Sequence, residues 1–244
     1  KKERTTALVV SAVLHGFRAI DTACQLKHYR EDLVGEALQT LYDKHGFKRE
    51  DLFIQTKFTS ISGQDTSLAL PYDPSDPPRT QLLDSFSTSI RQLRTTYLDA
   101  YVLHSPLRTF AQTLEAWRAL AELQDAGKVR AIGLSNVYDV RLIERLGAES
   151  GRPVQIVQDR WYEGNRWDPE VVRWCINNGA QYQSFWTLTG SPTLLAHPAL
   201  TALARTKHCT PAQALYRFAQ LQGVTPLSGT TDETHMREDL EVEN

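Results

Sequence analysis

The 244-residue chain has little cysteine and no surplus of charge of either sign. Cys24, Cys175 and Cys209 stand apart, with no CxxC pair and no ligand-like spacing, so neither a disulfide framework nor a metal site is expected. Lys and Arg number 27 against 29 Asp and Glu, a net charge of −2. That balance provides no long-range field for nucleic acid or an anionic membrane. Long apolar runs are missing too. The most apolar stretch near the start, Ala7 to Leu14, is too short to span a bilayer, and no small-residue cleavage site follows it. There is no GxGxxG after a strand, no P-loop, no GxSxG and no HExxH. By elimination we expect a cytoplasmic protein in a reducing compartment, and we expect a monomer.

What is present is a rhythm. A short apolar run, a polar turn and an amphipathic stretch repeat to the end of the chain, as in successive βαβ units. Seven runs are read as buried parallel strands: Phe17 to Asp21, Leu52 to Lys57, Leu98 to His104, Val129 to Leu134, Val154 to Gln158, Gln181 to Trp186 and Val224 to Leu227. Several lack period-2 alternation, as expected when helices cover both faces of a sheet. Glu31 to His45 carries Leu33, Val34, Ala37, Leu38 and Leu41 on one face and ends at Gly46, a left-handed cap. Leu114, Trp117, Leu120 and Leu123 form a second stripe, closed by Gly127. Asp168, Pro169 and Glu170 predict a helix start, with Gly179 at the far end, and Thr210, Pro211 and Gln213 predict a capping box.

The rhythm breaks between Ser60 and Arg79, where glycine, serine, aspartate and proline crowd together and exclude a helix. This is read as a long βα loop, a lid or substrate loop at the carboxyl end of the second strand. No domain boundary is visible, so residues 1–244 are read as one domain. The chain opens at Lys1 without methionine and runs straight into helix-like sequence. Seven strands could form an open sheet or a barrel, and an eighth strand, expected upstream, would close a barrel.

Polar residues at the ends of buried parallel strands are the informative ones, because that end faces the ligand. Asp21 ends the first strand, Lys57 the second and His104 the third. Singly they read as a turn residue, a solvated lysine and a core histidine. Their recurrence at successive strand ends points to one polar site.

The stretch GFRAIDTACQLKHYREDLVGEAL, followed in order by FIQTKF, LDAYVLHSPL, GKVRAIGLSN and the VQ at Gln158, resembles the aldo-keto reductase family over essentially the whole chain. The resemblance implies a (β/α)8 TIM barrel, here apparently lacking its first strand, and NAD(P)H-dependent reduction of an aldehyde or ketone. It implies Tyr29 as general acid, Asp21 and Lys57 paired beneath it and His104 orienting the carbonyl. The chemistry suits these residue types. A phenol ionises near ~10, and a neighbouring ammonium favours its phenolate. A carboxylate keeps that ammonium charged and aimed, while Tyr29 and His104 stabilise the developing alkoxide. One departure is plain: the tyrosine usual five residues after the aspartate is Leu26 here, and a turn two residues longer puts Tyr29 in its place.

The same resemblance implies that Ser135, Asn136 and Gln158 bond the nicotinamide carboxamide, with Ser135 and Asn136 also suited to capping a helix near Val137. Phe185 takes the position of the stacking aromatic, with Trp186 beside it. TPLSGTTDETHMREDL resembles the adenosine-phosphate segment, with Ser228, Thr230, His235 and Glu238 as candidates at a helix opening near Asp232. A lysine common in NADPH-binding members is Leu227 here, and the usual arginine aligns near His235 or Arg237. NADP is the expected cofactor, with NAD as the alternative. Trp161, Tyr162, Trp167, Trp186 and Tyr72 lie on loops that could wall an apolar carbonyl substrate. Two other readings stay open: an NADP-binding regulatory or partner subunit, and a truncated, inactive member.

Overall fold

The computed structural model describes residues 2–243. It divides into two compact units, residues 1–135 with 143–154, and residues 136–142 with 155–244.

The first unit alternates helix and strand: α1 (Thr5–His15), β1 (Ala19–Asp21), α2 (Glu31–His45), β2 (Phe53–Phe58), α3 (Pro78–Leu93), β3 (Leu98–Leu103), α4 (Phe110–Asp125) and β4 (Val129–Ser135), and it takes in most of α5 (Val140–Ser150). Its four strands pair in parallel and in chain order, with Asp21 opposite Gln55, Lys57 opposite Val102 and Leu103 opposite Leu134. β3 is buried at every residue, which is why the sequence shows no alternation there. Leu38, Leu41, Ile54, Leu82, Leu98, Trp117 and Ile132 are fully enclosed. At the start of β3 the buried Asp99 accepts from Arg49 (2.7 Å), Arg130 (2.8 Å) and the Ile54 amide (2.9 Å), tying the amino ends of adjacent strands together.

The second unit holds β5 (Ile156–Arg160), α6 (Pro169–Asn178), β6 (Gln181–Phe185), α7 (Pro192–Leu195), α8 (Pro198–Thr206), α9 (Pro211–Leu221), β7 (Val224–Pro226) and α10 (Glu233–Leu240). Its strands are again parallel and in chain order, with Gln158 opposite Gln183 and Arg160 opposite Phe185. Among the described residues, no helix is long and apolar enough to cross a membrane.

The strand order matches the sequence reading, with shifts of up to two residues at the ends. Gly46 and Gly179 adopt the expected left-handed caps, at φ 73° and 67°, and Thr210 and Gln213 form the reciprocal capping box. Three local expectations are corrected. The proline-rich segment is not helix-free to Arg79: α3 starts at Pro78, because a proline in the first turn surrenders only an amide that has no helical partner. The helix expected near Val137 begins at Val140, since Asn136 is left-handed at φ 53°. Asp168 precedes α6 but does not cap it; its carboxylate turns inward to accept from the buried Tyr182 hydroxyl at 2.9 Å.

Candidate active site

Parallel pairing in the first unit carries the ends of β1, β2 and β3 to one edge of the sheet. Lys57, the penultimate residue of β2, is fully buried, and its ammonium donates to Asp21 Oδ2 at 2.6 Å and to the Thr22 carbonyl at 2.9 Å. Gln55 donates to the other Asp21 oxygen at 2.7 Å, so both carboxylate oxygens are held from β2. Tyr29 reaches this group from the loop after β1. The Lys57 ammonium lies 5.4 Å from its ring centroid. His104, one residue beyond β3, meets the Tyr29 ring edge-on at 5.9 Å between centroids. The four sequence-predicted residues thus come together, with the Lys57 ammonium bonded to Asp21 and Thr22.

His104 is held neutral. Burial is the main cause and the nearby Lys57 charge adds to it, pushing its pKa down to about 4. Its Nδ1 lies 2.7 Å from the Thr59 hydroxyl. With that hydroxyl donating, the ring proton sits on Nε2.

Sequence reasoning missed Glu31. It reads as the acidic first residue of α2, yet it is buried, bonded to the Thr56 hydroxyl and, at 3.0 Å to each oxygen, to Ser89 of α3. Burial pushes its pKa up. Only the close packing of α2 on α3, which Gly35 permits, turns this end-of-helix carboxylate inward: a Cβ at Gly35 would lie 1.9 Å from the Gln92 carbonyl oxygen.

The proline-rich loop folds beside Tyr29. A cavity of about 420 Å³ is lined there by Gln25, Leu26, Tyr29, Gln64, Leu70 and Tyr72. Tyr72 is buried, donating to the Thr59 carbonyl at 2.7 Å and packing on Phe58.

The residues expected to meet a cofactor fall mostly in the second unit. Gln158 donates to Gln183 across β5 and β6 at 2.9 Å, and the Asn136 amide bonds the Gln158 carbonyl at 3.2 Å. Phe185 ends β6, and Trp186 follows it in a left-handed conformation (φ 62°), half-exposed and edge-on to Tyr162. Trp161 is enclosed between Trp167 and Phe218, so it packs the interior. Around the start of α10, Ser228 donates to Asp239, Thr230 accepts from the Asp232 amide and lies 3.4 Å from His235, and the Glu238 carbonyl accepts from Gln213. Ser135 is buried at the end of β4 in the first unit.

The sequence pattern of the Aldo/keto reductase family matches residues 1–244, and the chain belongs to that family. Among its relatives, an uncharacterized oxidoreductase, YtbE of Bacillus subtilis, is 31% identical over 96% of this chain and 76% of its own length. Methylglyoxal reductase DkgA of Escherichia coli is 27% identical over 98% of this chain and 79% of its own. A crystal structure of an aldo/keto reductase from Brucella melitensis superposes with a TM-score of 0.83 at 25% identity, over 99% of this chain and 84% of that one. The fold class is therefore that of the (β/α)8 aldo-keto reductases, and the described residues carry seven of its strands.

Proposed function

We propose that the chain reduces an aldehyde or ketone to an alcohol, using NADPH in preference to NADH, with Tyr29 as the proton donor. The observation that carries this reading is the buried Lys57–Asp21 pair beside the Tyr29 ring, with a neutral His104 edge-on to it. NAD(P)H, when bound, supplies the hydride to the carbonyl carbon. Tyr29 gives its hydroxyl proton to the carbonyl oxygen as negative charge develops there, leaving a phenolate. The nearby ammonium of Lys57 favours that phenolate, and Asp21 keeps the ammonium charged in its buried setting. A neutral His104 with its proton on Nε2 donates to the same oxygen without bringing a competing acid.

The donor set in the second unit suits a nicotinamide. Its carboxamide offers one acceptor and two donors, and Asn136 and Gln158 carry the complementary mix. Phe185 offers an aromatic face. Ser228, Thr230, His235 and Glu238 would hold the adenosine phosphate, the first two by hydroxyls at the opening of α10. Tyr72, on the proline-rich loop beside Tyr29, would border the substrate.

The test is oxidation of NADPH and NADH with a panel of aromatic aldehydes. Turnover that falls about 10²-fold or more in Tyr29→Phe, with dinucleotide binding kept, is the expected result. Equal turnover in the variant would remove Tyr29 as the acid. Dinucleotide binding without turnover of any aldehyde would instead support a binding subunit.

A further inference from the structure

Arg160 is a cation that the reading above does not use. It lies two residues beyond Gln158 on β5, and strand geometry therefore puts both side chains on one face of the sheet. Opposite them on β6 stand Gln183 and Phe185. The Arg160 guanidinium lies 4.6 Å from the Trp186 ring centroid and 5.3 Å from that of Phe185, and Nη1 donates to Asn136 Oδ1 at 3.2 Å. The Tyr138 hydroxyl is a second neighbour, accepting from the Arg160 amide at 3.2 Å and bonding its side chain. Nε is buried and has no partner.

Nothing nearby cancels the charge. Among the described residues no carboxylate forms an ion pair with Arg160. The adjacent Asp159 points to the opposite face, where the Val137 amide donates to it at 2.9 Å. Burial raises its pKa to about 8, so near neutral pH it is largely uncharged.

A guanidinium offers five N–H donors in a plane, and leaving them unbonded in a partly buried setting is unfavourable. A purely structural clamp on Asn136 and Tyr138 uses only part of that set and leaves the buried Nε without a partner. The two aromatic rings lie close to the guanidinium carbon, and a guanidinium edge matches the two oxygens of a carboxylate or phosphate. Left-handed Asn136 and Trp186 flank the same group, as sparsely populated backbone often does at ligand sites.

We propose that Arg160 anchors an oxyanion subsite at the carboxyl end of β5, where it takes a carboxylate or phosphate of a bound ligand. The anion has two possible sources under the reductase reading, an acid group on the carbonyl substrate or a phosphate of the dinucleotide. The subsite itself is tested without turnover. Calorimetric titration of the intact chain with benzoate and with inorganic pyrophosphate is expected to show binding that weakens about tenfold or more in Arg160→Gln. Arg160→Lys keeps the charge without the fork and is expected to fall between, and thermal melts of both variants establish that they are folded. A second arm identifies the source. A fall of about tenfold or more in the ratio of kcat/KM for 4-carboxybenzaldehyde to that for its methyl ester assigns the anion to the substrate. A tenfold weaker NADPH Kd with that ratio kept assigns it to the cofactor. If neither anion binds the wild-type chain, or Arg160→Gln binds both as tightly as wild type, the proposal is overturned. A chain that turns over no aldehyde would end the reductase reading, and the anion titration would still decide the subsite.

Discussion

Lys57 and Asp21 form an ion pair of unequal burial: the lysine side chain is 1% exposed and the aspartate 21%, with 2.6 Å between nitrogen and oxygen. Removing the aspartate strands a charge in the interior, whereas removing the lysine leaves a carboxylate that water can reach. Asp21→Asn is therefore expected to cost more stability than Lys57→Met, up to about 3–5 kcal/mol for the stranded charge. Urea denaturation of the two variants measures it, and equal losses would contradict the asymmetry. Both changes are expected to slow turnover, and the double variant to lose less than the sum, because each removes the same pair.

Glu31 presents the same physics with hydroxyl partners. Glu31→Ala leaves Thr56 and Ser89 buried without their acceptor, a loss of about 1–3 kcal/mol in the unfolding free energy. Glu31→Gln keeps an acceptor oxygen and is expected to retain much of that stability. Denaturation midpoints that place the two variants together would reject the buried-acceptor account.

Gly35 sets how closely α2 approaches α3. The 1.9 Å approach of an added Cβ to the Gln92 carbonyl oxygen is to main chain, which cannot rotate away. Gly35→Ala is expected to destabilise by about 1–3 kcal/mol despite the better helix propensity of alanine. A variant as stable as wild type in a thermal melt would show that the helices separate freely.

Two groups, His104 and Asp159, are expected to make stability respond to pH in opposite directions. His104 has a folded pKa of about 4, below the ordinary 6.5. Its contribution to stability is complete above pH 6.5 and lost as pH falls towards 4, because the unfolded chain then binds the proton that the folded chain excludes. Asp159 has a folded pKa of about 8, above the ordinary 3.8. Its contribution is complete below pH 3.8 and is lost as pH rises to about 8, when ionisation favours unfolding. Asp159→Asn is thus expected to flatten the decline in melting temperature as pH rises from 3.8 to about 8. An identical decline in the variant would assign that limb to another group.

Under the proposed reading, cofactor preference is expected to depend on Leu227, whose backbone amide bonds the Ser184 carbonyl at 2.8 Å. That anchoring uses main chain, so the side chain can be exchanged. Leu227→Lys is expected to strengthen NADPH binding relative to NADH by about tenfold, read by fluorescence titration. No gain would place the adenosine phosphate elsewhere.

By itself the sequence determined the order of strands and helices, most caps, and the residues Asp21, Lys57 and His104 as a set. Those signals are local or periodic: apolar runs, glycines that accept left-handed backbone, and polar residues ending buried strands. Only the tertiary structure decided which polar groups turn inward. Glu31 read as the first residue of a helix and Asp168 as a helix cap, and no sequence pattern singled out Arg160. The first is buried because α2 lies against α3, the second turns inward to Tyr182, and the third lies near Phe185 because β5 sets it opposite that residue. Such fates depend on neighbours distant in the chain, and no local pattern encodes them.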